Sequence, residues 1–206
     1  MGNHSKLIEN IINLEWDMFQ NVKNIGGRAG CQDDRETFTI MRRSQYENWT
    51  DEMLLCYYNY AVSCEERGRN LVTEKYGRMM EYTDPRYYRE HVADYLPYVP
   101  EKNYRLIDEI VEIMVGWGED LARQYPKLAN AGRPVTAEGD SMGCTSQETY
   151  ERGELATYPT DLLELYAAYL KELKAQGKSL AAMIQETMVR LYGYQTMDEA
   201  EASLGA

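Results

Sequence analysis

The chain writes one pattern twice, and that limits how it can fold. Leu7-Ile8-Glu9-Asn10-Ile11 returns as Leu106-Ile107-Asp108-Glu109-Ile110, and Glu36-Thr37-Phe38 with Tyr46 returns as Glu148-Thr149-Tyr150 with Tyr158. Tyr57 and Tyr60 correspond to Tyr166 and Tyr169, and Gly68-Arg69-Asn70-Leu71 to Gly177-Lys178-Ser179-Leu180. The offset drifts only from 99 to 112 to 109, so whole elements keep their order and spacing. Two copies of one unit are expected to pack about a pseudo-twofold axis, with a site where they meet.

The unit is helical. Leu7, Ile11, Leu14 and Met18 form one stripe over residues 6–24, widened by Ile8, Ile12, Phe19 and Val22, which is the helix period. Ile25-Gly26-Gly27-Arg28-Ala29-Gly30 interrupts it. A second helix is predicted from Asp33 or Asp34 to about residue 48, with Asp33 and Glu36 as a capping-box-like start and Thr145 with Glu148 as its counterpart. Thr50-Asp51 opens a third helix ended by Gly68, and Thr160-Asp161 another ended by Gly177. Asn70 begins a fourth helix through Glu81, matched from Ser179 to Tyr192. Asp84-Pro85 starts a connecting helix to about Leu96. Helix 103–124 reads as the most apolar and central, residues 126–145 as the longest loop, and Thr196 with Glu199 as the start of a terminal helix.

No strand-like alternation persists. The expected fold is therefore all-α: two homologous helical half-domains in one compact domain. Repeat 1 covers about 5–83, the connection 84–102, repeat 2 about 103–194 and the terminal helix 196–204.

Charge and cysteine usage exclude several function classes. With 34 acidic and 22 basic residues the net charge is −12, which argues against a nucleic-acid partner, because binding a polyanion needs a positive face. No run of 18 apolar residues is present, which argues against a membrane span. Met1-Gly2-Asn3-His4-Ser5-Lys6 resembles neither a signal peptide nor a myristoylation signal, so a cytoplasmic protein is expected. Cys56 and Cys64 stand eight apart on one helix, roughly 12 Å along its axis and too far to bridge. Without CxxC, and with only two histidines, a metal centre is not expected. No cofactor motif is present, and the cofactor stays open.

Candidate chemistry gathers at equivalent places in the two copies. Cys31 precedes a helix N-terminus, where the positive end favours thiolate, and Asp33 and Asp34 oppose it; Cys144 sits near the equivalent point. Thr37, Met41, Ser44 and Gln45 share one face of the second helix, with Arg42 at its flank. Arg42 aligns with Glu154, so opposite charges are expected to face each other across the axis. The site set is Cys31, Asp34 and Glu154 as catalytic groups. Gln32, Asp33, Thr37, Met41, Arg42, Gln45, Tyr76, Tyr150 and Arg152 are the ligand-binding groups, with no metal ligands. Arginines would hold a carboxylate or phosphate, Asp34 or Glu154 would move a proton, and Cys31 would be a nucleophile. Lys75, if buried, would have a lowered pKa and act as a base or Schiff-base former. The competing interpretation is a solvated face with ordinary ion pairs, and cysteines that merely pack.

The segments Cys31-Gln32-Asp33-Asp34, Thr37-Phe38, Met41-Arg42 with Ser44-Gln45, Thr73-Glu74-Lys75-Tyr76, Arg78-Met79-Met80-Glu81, and Glu148-Thr149-Tyr150 with Arg152-Gly153-Glu154-Leu155 together resemble the prokaryotic family known as domain of unknown function 4125. The likeness spans nearly the whole chain. It implies a compact helical protein and carries no activity or catalytic residues to transfer.

Three functions compete. The first is a small polar or anionic molecule bound between the repeats, with or without acid–base or thiol catalysis. The second is a non-catalytic scaffold using some of the 18 tyrosines, with Tyr87, Tyr88 and Tyr95 suited to a homodimer contact. The third is a redox sensor pairing Cys31 with Cys144.

Overall fold

The computed structural model describes residues 2–24, 26–141 and 143–205. The expectations for Met1, for Ile25 in the glycine loop and for Met142 in the 126–145 segment fall outside them. Among the described residues the fold is all-α, with eleven α-helices and no strand.

The first four helices are α1 (Asn3–Gln20), α2 (Arg35–Tyr46), α3 (Asp51–Glu66) and α4 (Leu71–Thr83). A connection follows as α5 (Pro85–His91) and a 3-10 turn at Ala93–Tyr95. Then come α6 (Glu101–Gln124), α7 (Pro126–Ala131), α8 (Gln147–Leu155), α9 (Thr160–Ala175), α10 (Leu180–Leu191) and α11 (Met197–Ser203). The helix signals act much as predicted. Thr50, Asn70, Asp84, Ser179 and Thr196 each accept a bond from the backbone N–H three residues on. Gly68 (φ +72°) and Gly177 (φ +69°) end α3 and α9 in the same way. In each case the next residue's N–H, Arg69 or Lys178, reaches back to the carbonyl of Cys64 or Leu173.

Four expectations are corrected. Asp34 rather than Asp33 caps α2, and Ser146 rather than Thr145 caps α8, because these residues point their oxygens at the N–H groups of Thr37 and Thr149. The connecting helix stops at His91 and continues only as the short turn. Helix α6 is amphipathic rather than the most apolar: it buries Ile107, Ile110 and Val111 and presents Glu109, Glu112, Glu119 and Asp120 outward. The segment 126–145 is more than a loop. Pro126 starts α7, and the strap behind it is laced onto α8: Pro134 and Val135 carbonyls accept from the Gln147 and Glu148 N–H groups, and Asp140 accepts from Ser146 and Thr149.

Helix α1 packs on α2, α3 and α4, and α6 packs on α8, α9 and α10. Across the middle α4 packs on α8, α10 on α2, and α3 on α9. The core lies along the α3–α9 contact, with Leu54, Ala61, Leu162, Leu163, Tyr166 and Leu170 fully buried or nearly so, flanked by Ile11 and Ile110. The α4–α8 crossing is close because of one residue. A Cβ added at Gly153 would stand 2.7 Å from Met79 Cγ and 3.0 Å from the Lys75 carbonyl.

Gly153→Ala therefore forces the two helices apart and lowers stability by about 1–3 kcal/mol in urea unfolding. Gly116→Ala, within α6 where a Cβ meets open space, raises it by about 0.5–1 kcal/mol. Equal effects at the two glycines would show that α4 and α8 are not in this contact.

Candidate functional site

A carboxylate interrupts the apolar stripe of α1. Glu15 follows Ile8, Ile11 and Ile12 on the buried face and is only 3% exposed. A buried charge must be paired, and the partner is Arg42 of α2. The Arg42 Nε donates to Glu15 Oε2 at 2.8 Å and Nη2 to Glu15 Oε1 at 2.5 Å, a two-pronged contact. From the other side Glu154 of α8 approaches the same guanidinium, with Nη1 to Oε2 at 3.1 Å and Nη2 to Oε1 at 2.9 Å. Nη1 also donates to Gln45 at 3.0 Å, and Nη2 to the Tyr46 hydroxyl. Every N–H of Arg42 is taken.

Tyrosine hydroxyls complete the carboxylates. Tyr46 and Tyr57 each donate to Glu15 Oε1 at 2.7 Å, and Tyr158 to Glu154 Oε1 at 2.8 Å. Their rings surround Trp49, whose centroid lies 5.1 Å from that of Tyr46, 6.0 Å from Tyr57 and 6.1 Å from Tyr158. Lys75 of α4 is the fourth charge, donating to Glu154 Oε2 at 3.3 Å and to the Tyr150 hydroxyl at 2.8 Å. Two cations and two anions thus form a neutral buried cluster.

Burial opposes charge on every member, and pairing overrides it. Despite burial, Arg42 and Lys75 hold Glu154 well below the usual carboxylate range. Burial would also strip the proton from Arg42 and Lys75, yet Glu15 and Glu154 hold the first cationic, and Tyr150 and Glu154 raise the second. Lys75 is therefore a fixed ammonium, the reverse of the lowered pKa that a base or Schiff-base former needs. Glu154 is a fixed carboxylate with no proton to give near neutral pH. The hydroxyls of Tyr46, Tyr57 and Tyr158 are pushed well above their ordinary values, mainly by burial.

The structure brings together only part of the predicted site set. Arg42, Gln45 and Glu154 meet in the cluster, and Tyr150 and Tyr76 stand at its outer edge beside Lys75. Gln32 is buried elsewhere, clamping the glycine loop to the end of α1 through the Phe19 and Val22 carbonyls and the Ala29 N–H. Asp33 pairs with Arg28, Asp34 is an exposed helix cap, and Thr37 and Met41 face solvent. Arg152 turns outward to Asp108 and Glu148. Cys31 and Cys144 are exposed free thiols, with Cys31 near enough to Tyr76 to help raise its hydroxyl to about 12, chiefly a burial effect.

Sequence reasoning missed Glu15, Tyr46, Tyr57, Tyr158 and Arg133 as members of the site. The signal for Glu15 was its place in the apolar stripe. Arg133, on the strap before α8, places its guanidinium 4.9 Å from the Tyr150 ring centre and donates to the Thr145 carbonyl at 2.9 Å. Two surface depressions lie elsewhere: about 270 Å³ beside Arg28 and Gln32, and about 610 Å³ along α6 and α9.

Glu151, three residues before Glu154, is half-buried and has no hydrogen-bond or ion-pair partner among the described residues. Burial and the charge of Glu154 push its carboxyl up to about 8, against the pull of Arg152. Between the ordinary value of 4.5 and about 8 the folded chain holds a proton that the unfolded chain has lost. Stability from this group therefore falls as pH rises through that window, by up to about 1.4 kcal/mol per unit. Glu151→Gln removes that slope in urea unfolding from pH 5 to 8, and parallel wild-type and variant curves would contradict it. Arg42→Ala leaves Glu15 buried without its cation and costs about 3–5 kcal/mol, whereas a loss below about 1 kcal/mol would mean that the cluster is not formed.

No curated protein and no solved structure matches the chain. Its residues 5–202, nearly the full length, match the family described as Protein of unknown function (DUF4125), and the chain belongs to that family.

Proposed function

We propose that the protein binds a small anionic or polar molecule at the edge of the cluster between α4 and α8, where Lys75, Tyr150 and Arg133 converge. The observation that carries this reading is the bonding of Tyr150. Its oxygen accepts from the Lys75 ammonium, so its own O–H is free to donate outward, and the Arg133 guanidinium lies against the same ring. A hydroxyl backed by one cation and flanked by another suits an oxyanion, because each donor is aimed at negative charge and one of them is already desolvated. The half-buried Tyr76 forms the adjoining wall.

Arg42 and Glu154 have a different role in this reading from the one first expected. Their donors and acceptors are spent on each other, so they act as the rigid base that fixes Lys75. The fixed charges of Lys75 and Glu154 favour holding a ligand over shuttling protons. The interhalf position also supports an origin by duplication: the partners of α1 and α6 correspond one to one, and the crossings α4–α8 and α10–α2 exchange under the same correspondence. Four free thiols suit the reducing cytoplasm, and among the described residues no helix is long and apolar enough to cross a membrane.

Inorganic phosphate and a small carboxylic acid such as succinate are the probes. Phosphate at about a hundred times its Kd adds about 2.7 kcal/mol to unfolding stability. Arg133→Ala, at an exposed position, weakens that binding by at least about tenfold without changing stability in the absence of ligand. Saturation with neither probe, or equal binding by the variant, would remove this site from the account.

A further inference from the structure

One stretch of surface departs from the rest of this acidic molecule. Residues 78–105 hold Arg78, Arg86, Arg89, Lys102 and Arg105 against Glu81, Asp84, Glu90, Asp94 and Glu101, so the whole net charge of −12 lies outside them. The same stretch holds six of the 18 tyrosines. Tyr95 and Tyr98 are each 86% exposed, Tyr104 50% and Tyr82 47%.

These side chains sit on adjoining segments. Tyr104 on α6 lies close enough to Tyr82 of α4 and to Tyr88 of α5 to influence both hydroxyls. The linker carrying Tyr95 and Tyr98 is pinned to α4, the helix that also carries Tyr82. Arg78 Nη2 donates to the Pro97 carbonyl at 2.5 Å, and Leu96 covers Gly77, whose added Cβ would stand 3.2 Å from it. Arg78 is only 7% exposed, its Nε lacks a partner, and no carboxylate lies within ion-pair distance among the described residues. An uncompensated buried cation thus makes the surface above it less negative than the flanks.

We infer that this tyrosine patch is the contact through which two copies of the chain form a dimer. Two acidic molecules repel over most of their surfaces, and the neutral patch is where that repulsion is weakest. Tyrosine and arginine are the residues that concentrate binding energy in interfaces. The four exposed tyrosines alone offer roughly 500 Å², against about 800 Å² per partner in a standard interface. Balanced charges of both signs also suit a twofold contact, in which one surface must complement itself.

Sedimentation equilibrium of the full chain across a concentration series tests the inference. The wild type reaches twice the 23.9 kDa chain mass, and Tyr95→Ala with Tyr98→Ala raises the dimer Kd by at least about tenfold. The urea midpoint of the pair, measured at low concentration, stays unchanged because both side chains are in solvent. Added salt tightens the dimer by screening the acidic flanks. A 23.9 kDa species at every concentration, or a dimer indifferent to the double variant, would overturn the proposal.

Discussion

The guanidinium of Arg42, held between Glu15 and Glu154, is the interaction on which the rest depends. It joins α1 and α2 on one side to α8 on the other, and α8 in turn holds α4 through Lys75. Buried ion pairs seldom add net stability, since desolvation cancels most of the attraction. Their strength lies in what they forbid. A slip of α8 along α4 by one residue would strand four charges in an apolar interior, and the hydroxyls of Tyr46, Tyr57 and Tyr158 would lose their acceptors. The cluster therefore specifies one register where leucine packing alone would tolerate several.

The excess of tyrosine over phenylalanine, 18 against two, then has two physical explanations. Inside, the phenols give the core aromatic bulk and still satisfy carboxylates that water cannot reach. Outside, between α4 and α6, they lie in solvent on the neutral stretch. Tyr57 and Tyr95 are chemically identical and do opposite work: the first lies on the buried face of α3 and the second on an exposed turn of the linker.

Much of the fold was legible because it is local. Apolar periods, Asn70, Ser179 and Thr196 as caps, and the glycines at 68 and 177 act within a turn or two of themselves. Even one long-range contact could be read, since aligning the two patterns puts Arg42 opposite Glu154 and the two do meet at 2.9 Å. The site was less legible for a geometric reason. Asp33, Asp34 and Thr37 belong to the same polar run as Arg42, but Asp33 and Asp34 stand before α2 and Thr37 on its outer face, all in solvent, while α2 delivers Arg42 and Gln45 inward. Glu15 was hidden by its apolar neighbours, which marked the face as core and so concealed the charge within it. Arg133 reaches Tyr150 only because its strap is laced back onto α8, a tertiary fact with no periodic signature.

A double-mutant cycle between Arg42 and Glu154 tests the account most directly, comparing Arg42→Met, Glu154→Gln and the pair by urea unfolding. If the guanidinium joins the two halves, the double variant is less destabilised than the sum of the singles, with a coupling of about 2–3 kcal/mol. Strict additivity would mean that the two residues do not meet, and the central cluster would have to be abandoned.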